Sequence, residues 1–294
     1  MLLDLQGFHV EPTNRCYLKC PLCSRTEFKQ MFPNKWNNVD LNLTDFKQFI
    51  DIDVTGKRFL LCGNTGDPIY YPDLIPLVQW IKERGGNINL ITNGSYCDKS
   101  WWEELCGYLD TSDIIQFSMD EVPGSKPVYR INNDWPSVLE GINVVVKSAA
   151  KAVWRLIPFK FNEGDLKVCE QLSEELGFYK FHVVPSDRWN EKTSSALKPS
   201  AVTLFREARY NNSVPFKPLC VLTHKQHYIS SGGMYFPCCY LEEFRSRFKT
   251  KFRKFSELVN IKNTTISSIL TNTEIQQFYS EVENDRTCQL VCEK

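Results

Sequence analysis

Cys16, Cys20 and Cys23 lie in the run Asn14-Arg15-Cys16-Tyr17-Leu18-Lys19-Cys20-Pro21-Leu22-Cys23, a CxxxCxxC spacing close to the amino terminus. Three thiolates this close can hold three irons of a [4Fe–4S] cube and leave the fourth iron without a protein ligand. Clusters that only carry electrons normally take four cysteines. An open iron can bind and activate something else, so the triplet points to an enzyme. The competing reading is zinc, although structural zinc usually takes four N or S ligands in paired spacings.

The other cysteines fall into two sets. Cys220, Cys238, Cys239, Cys288 and Cys292 gather in the last third, while Cys62, Cys97, Cys106 and Cys169 stand alone. Isolated cysteines are read most simply as small buried apolar residues. The first residues, Met1 to Phe8, lack a basic run followed by a long apolar stretch, so no signal peptide is read there. Without an export signal, twelve cysteines are metal or redox ligands before they are disulfides. Net charge is zero and no apolar window approaches the ~20 residues that span a bilayer. No global field therefore points to nucleic acid or membrane, and a soluble cytoplasmic protein is expected.

The elements that must position these residues follow from the periodicity. Short β-branched or apolar runs occur at Phe8–Val10, Arg58–Cys62, Asn87–Thr92, Ile114–Met119, Val153–Pro158 and Phe181–Val184. Helical periodicity occupies Leu43–Asp53, Asp73–Arg84, Lys99–Leu109, Pro136–Ser148 and Gly164–Leu176, with Pro199–Tyr210 as a sixth candidate. Strands alternating with helices imply a parallel sheet with right-handed crossovers, and chemistry in such sheets gathers at the carboxyl ends of the strands. The CxxxCxxC run follows the first strand and so belongs at that end. Past about residue 211 the alternation breaks, which places a domain boundary near 195–215.

With these motifs in order, the chain resembles the radical S-adenosylmethionine (SAM) enzymes. Gly63-Asn64-Thr65-Gly66-Asp67-Pro68 follows the second strand, where the family carries a glycine-rich acidic motif. Ile91-Thr92-Asn93-Gly94 and Phe117-Ser118-Met119-Asp120 look like the ends of the third and fourth strands. The resemblance implies a partial (β/α)6 TIM-like barrel over 1–195, a linker or last barrel helix at 196–210, and a small carboxyl-terminal cluster-binding domain at 211–294. It also implies a [4Fe–4S] cluster on Cys16, Cys20 and Cys23, chelated by SAM at the open iron. Gly66, Asp67, Pro68, Asn93, Ser118, Asp120, Arg130 and Asn162 are the implied SAM contacts. Leu22 departs from the aromatic residue that the family often has before the last cysteine. No catalytic acid, base or hydrogen donor is identified; Cys97, Tyr129 and Asp120 lie near the expected mouth by motif order only.

Gly233-Met234-Tyr235-Phe236-Pro237-Cys238 and the terminal Cys288 and Cys292 resemble the auxiliary-cluster extensions called SPASM and its shortened form, Twitch, and Thr265–Phe278 resembles the helix before their final cysteines. The resemblance implies a second, auxiliary [4Fe–4S] cluster on Cys220, Cys238, Cys288 and Cys292, with Cys239 as an alternative to Cys238. An all-cysteine zinc site uses the same thiolates. The activity implied is reductive SAM cleavage followed by oxidative modification of a peptide or protein, with flavodoxin or ferredoxin as electron donor. Two alternatives are dehydrogenation of a small hydroxylated molecule and a non-catalytic iron–sulfur or zinc-binding module. The basic stretch from Phe244 to Phe255 is read as a solvated face before a docking surface.

Overall fold

The computed structural model describes residues 5–184, 197–200, 225–236, 238–239, 242 and 258–282. Eight strands form one sheet: β1 (Gly7–Val10), β2 (Arg58–Leu61), β3 (Asn87–Thr92), β4 (Ile114–Ser118), β5 (Lys151–Leu156), β6 (Lys180–Val183), β7 (Gln226–Ile229) and β8 (Tyr235–Phe236). Their order is β6-β5-β4-β3-β2-β1-β7-β8. All neighbours are parallel except the β7–β8 hairpin. Among the described residues β6 and β8 remain edges, so the sheet is an open, partial barrel.

Alternation explains which face is which. Phe8, Val10, Phe59, Leu61, Ile88, Leu90, Ile115, Phe117, Trp154 and Leu156 are buried in one continuous core with the helices. Side chains two apart on a strand share a face, so the residues between them form the opposite, inner face. Phe8 stacks on Phe59 at 5.2 Å and Trp102 meets Phe117 at 5.4 Å. Burying each such ring stabilises the fold by roughly 1.5–3 kcal/mol.

The helices are α1 (Ser24–Met31), α2 (Leu43–Phe49), α3 (Leu74–Glu83), α4 (Lys99–Gly107), α5 (Trp135–Val145), α6 (Leu166–Glu175), α7 (Ile266–Thr271) and α8 (Thr273–Val282). Asn42 caps α2 by accepting from the Asp45 amide at 2.9 Å, and Asp98 caps α4 by accepting from the Trp101 amide at 2.9 Å; caps of this kind satisfy amides that a helix start leaves unpaired. Six strands and five helices fall where the periodicity expects them. The candidate helix at Pro199–Tyr210 lies almost wholly outside the described residues. Where one helix is expected at Thr265–Phe278 there are two, because Asn272 leaves helical geometry and its side chain accepts from the Ile275 amide at 3.0 Å to start α8.

The expected boundary near 195–215 lies almost wholly outside the described residues; beyond it, β7 pairs with β1 in parallel, setting Phe8 beside His227 and Val10 beside Ile229. Ser267 on α7 also donates its backbone amide to Asp51 at 2.9 Å. The later portion of the chain thus extends the same sheet.

Candidate functional site

The cysteine loop leaves the carboxyl end of β1 and is fixed from three sides. The guanidinium of Arg25, in the first turn of α1 and buried, donates to the carbonyls of Cys16 and Leu18. The Lys19 amide donates to Ile131 O at 2.9 Å, and Asn132 Nδ2 donates to Tyr17 O at 3.2 Å. The Arg15 guanidinium grips Asp40 at 2.7 Å. Cys20 is buried and Cys16 and Cys23 are half-buried.

Burial pushes the Cys16 thiol up to about 12, helped by the Asp67 charge and opposed by Arg25. Burial likewise pushes Cys20 up to about 12, against the lowering effect of Arg130. Thiols of this kind stay protonated until a cation holds them as thiolates, and metal binding is then linked to proton release. Among the described residues no three His, Cys, Asp or Glu side chains converge on one metal ion. A cube asks for something else, since each cysteine takes its own iron.

The turn after β2 meets this loop at a backbone crossing. A Cβ on Gly66 would stand 1.9 Å from Thr13 O, so only glycine fits. Glu11, buried just after β1, accepts from the Thr65 amide at 2.8 Å, the Thr65 hydroxyl at 2.9 Å and the Gly66 amide at 2.9 Å. Its other oxygen accepts from the Tyr228 hydroxyl on β7. The Asp67 amide donates to Arg15 O at 2.8 Å.

Asp67 is saturated by its own protein. Oδ1 accepts from Thr92 Oγ1 at 2.7 Å and the Ile69 amide at 3.2 Å, while Oδ2 accepts from the Asn93 amide at 2.7 Å and Asn93 Nδ2 at 2.5 Å. A carboxylate has about four acceptor positions, and all are used. Burial raises its pKa, with these hydrogen bonds opposing. Asn93 Nδ2 also points at Cys16 Sγ, 3.7 Å away. Gly94, at φ +74°, turns the chain immediately after Asn93.

Beyond β4, Arg130 Nε lies 2.8 Å from Asp120 Oδ2. Burial acts to lower the Arg130 pKa, but the charge of Asp120 overrides it and raises it. Glu121 Oε1 accepts from the amides of Val128, Tyr129 and Arg130 at 3.0, 2.7 and 3.1 Å, and so shapes the loop that presents Arg130. Asn162 Nδ2 donates to Asp120 O at 2.7 Å and Ile157 O at 3.0 Å. Its Oδ1 accepts from the Phe159 amide at 2.6 Å.

One cavity collects the expected residues. Cys16, Cys20 and Cys23 line it together with Gly66, Asp67, Asn93, Ser118 and Arg130. Pro68, Asp120 and Asn162, also expected as contacts, are not on its wall. Pro68 starts a buried 3-10 turn, Asp120 lies behind Arg130 with 0% of its side chain exposed, and Asn162 spends both polar atoms on backbone. Leu22 packs with Leu18, Tyr129 and Phe159 in a separate apolar group. Glu11, Arg25, Thr92 and Glu121 are the positioning residues that motif order missed; only Thr92, beside Asn93, carried a local signal.

Of the distal cysteines, Cys238 is buried and Cys239 half-buried, and Asn64 Nδ2 donates to Cys239 O at 3.1 Å. Cys220, Cys288, Cys292 and the whole basic stretch 244–255 lie outside the described residues.

SPASM, an iron–sulfur cluster-binding domain, matches residues 220–293. The tungsten-containing aldehyde ferredoxin oxidoreductase cofactor-modifying protein of Pyrococcus furiosus is 24% identical over 168 residues, which cover 55% of this chain and 41% of that protein. The match thus spans about two fifths of the relative's length. Streptococcus suis SuiB bound to precursor peptide SuiA superposes with a TM-score of 0.63 at 15% identity, covering 96% of this chain and 67% of SuiB. Native anSMEcpe with bound S-adenosylmethionine and the Cp18Cys peptide gives 0.59 at 14% identity, covering 97% of this chain and 87% of the other. Identities this low speak for the fold. The resemblance to radical SAM enzymes with a SPASM-like extension is borne out in the partial-barrel architecture and in the distal iron–sulfur domain.

Proposed function

We propose that this chain is a radical SAM enzyme that oxidatively modifies a peptide or protein substrate. The observation carrying this reading is that the CxxxCxxC thiols, Asp67, Asn93, Ser118 and Arg130 line a single cavity at the carboxyl ends of four successive parallel strands. Ligands in such sheets bind at that end.

Cys16, Cys20 and Cys23 would hold the cube, and Asn93, held beside Cys16 by the saturated Asp67, would face the amino-acid end of SAM. A reduced cube with SAM bound there would supply hydrogen-abstraction chemistry, the S–C5′ bond breaking with loss of methionine. The chain's own work is to orient and to exclude water. Arg25 fixes the cysteine loop, Arg130 lines the cavity with its charge offset by Asp120, and Ser118 offers a hydroxyl to a ribose. Cys220, Cys238, Cys288 and Cys292 would hold an auxiliary cluster with no open iron, suited to taking the electron left on an oxidised substrate.

The peptide reading is supported by the peptides bound to SuiB and anSMEcpe. Anaerobically reconstituted protein given dithionite and SAM is expected to release 5′-deoxyadenosine and to carry about eight irons, as two cubes require. Replacing Cys16, Cys20 and Cys23 by alanine should abolish that release and leave about four irons. An intact cluster with no 5′-deoxyadenosine would overturn the enzymatic reading, and stoichiometric zinc would replace it with the binding-module alternative.

A further inference from the structure

The cavity wall continues down the inner face of the sheet. Ile91, Ser118 and Ile157 line the cavity, and Asn89, Gln116 and Arg155 stand two residues before them on or beside the same strands. Two residues along a strand is about 6.6 Å, so this second row lies directly beneath the site. Trp154 and Leu156 belong to the helix-side core, which puts Arg155 between them on the inner face.

The row is wired in one direction. Gln116 Nε2 donates to Asn89 Oδ1 at 2.6 Å, and Gln116 Oε1 accepts from an Arg155 terminal nitrogen at a long 3.5 Å. Neutral amides therefore aim the guanidinium without neutralising it. Among the described residues no carboxylate lies within ion-pair distance of Arg155. Asp120 is already committed to Arg130 at 2.8 Å. Arg155 is half-buried, and burial lowers its pKa with Cys62 and Asp120 acting in the opposite direction, so among the described residues the cation bears a desolvation cost that no direct ion pair offsets. A guanidinium carries five donors in a planar fork, of which Gln116 uses one.

We propose that Arg155, aimed by Gln116 and Asn89, binds a carboxylate of the substrate on the inner wall immediately below the SAM cavity. A monoanion fits better than a phosphate dianion, because among the described residues Arg130 is already paired with Asp120 and Arg155 is the guanidinium left at this depth. Paired with a carboxylate, the fork gives charge-assisted, two-point contact, which fixes orientation as well as affinity. The inference rests on the radical SAM reading and names the chemistry of its substrate: an acidic side chain or terminus of a peptide, or a small organic acid.

The test is calorimetric titration of the reconstituted full chain, with SAM present and at low ionic strength, using two matched pairs of probes. One pair is glutarate and glutaramide; the other is a capped pentapeptide with a central glutamate and its glutamine counterpart. The carboxylate member of at least one pair should bind about tenfold or more tighter than its amide, and the pair showing this identifies the source. Arg155→Gln should equalise the two members. Gln116→Leu, which keeps the charge and removes its guide, should shrink the preference severalfold. Equal affinities in the wild-type chain, or a preference that survives Arg155→Gln, would overturn the proposal. SAM cleavage by the wild-type chain without substrate is scored separately: its absence counts against the parent reading, while the binding preference decides the grip.

Discussion

At the scale of single residues, the site is built on side chains that face protein before they face ligand. Asp67 is the clearest example, with two donors on each oxygen. Asp67→Asn would turn an NH2 group toward two of those donors. The expected cost is about 1–3 kcal/mol for each group left unsatisfied in a buried position, together with release of Asn93 from its place beside Cys16. A lowered denaturant midpoint with reduced iron at the front site would bear this out; unchanged stability would show that the four-donor cage contributes little. The residues legible in the sequence were those whose chemistry is rare at their spacing, such as the CxxxCxxC thiols and Asp67. Glu11 and Arg25 were not legible, because they act on backbone atoms of other segments; Glu11 reaches Thr65, 54 residues on. No local pattern encodes such a partner.

At the scale of elements, the strand ends form the site because the turns between them fit without spare room. Gly66 passes the Thr13 carbonyl so closely that an added methyl must displace backbone. Gly66→Ala is expected to destabilise the fold by about 1–3 kcal/mol. It should also shift the cysteine loop, lowering iron at the front site while the distal iron is retained. Iron counts and unfolding curves on the reconstituted variant measure both effects, and full loading at wild-type stability would contradict the crossing. Alternating apolar residues made β1 to β6 readable, and their Gly and Asn corners made the ends readable too. Helix α1 was not readable, because its sequence SRTEFKQM is mostly polar and its buried member is Arg25. Strand β7, QHYI, opens on two polar residues that break the apolar alternation, and β8 spans two residues, too short for a period to show.

At the scale of the whole molecule, one sheet carries the front cysteines and, just past β8, Cys238 and Cys239, and its far end is sensitive to acid. His227 on β7 is buried against Tyr235, and burial depresses its pKa to about 3. The neutral ring is retained in the fold, whereas the unfolded ring takes up a proton below about 6.5. Its contribution is therefore complete above that value and is lost as pH falls from about 6.5 toward 3. Between pH 7.5 and 5.5 the loss is about 1.4 kcal/mol. His227→Gln should flatten this slope relative to wild type in urea titrations at the two pH values. Parallel slopes would show that the ring is not buried neutral.

The place of β1 in that sheet also sets an order in time. One edge of β1 is closed by β2, about fifty residues on, but the other waits for β7, whose register sets Phe8 beside His227. Synthesis proceeds at ~5–20 residues per second, and the two partners of Gly7, Arg58 and Gln226, are 168 residues apart. Throughout that interval Glu11 has its turn partners but lacks Tyr228, and the strand that launches the cysteine loop keeps a bare edge. Unpaired edges invite association, and reduced thiols invite oxidation. During biosynthesis the front of this protein is therefore a dependent of its back, and metal delivery has the firmest receptor only after the late hairpin has docked.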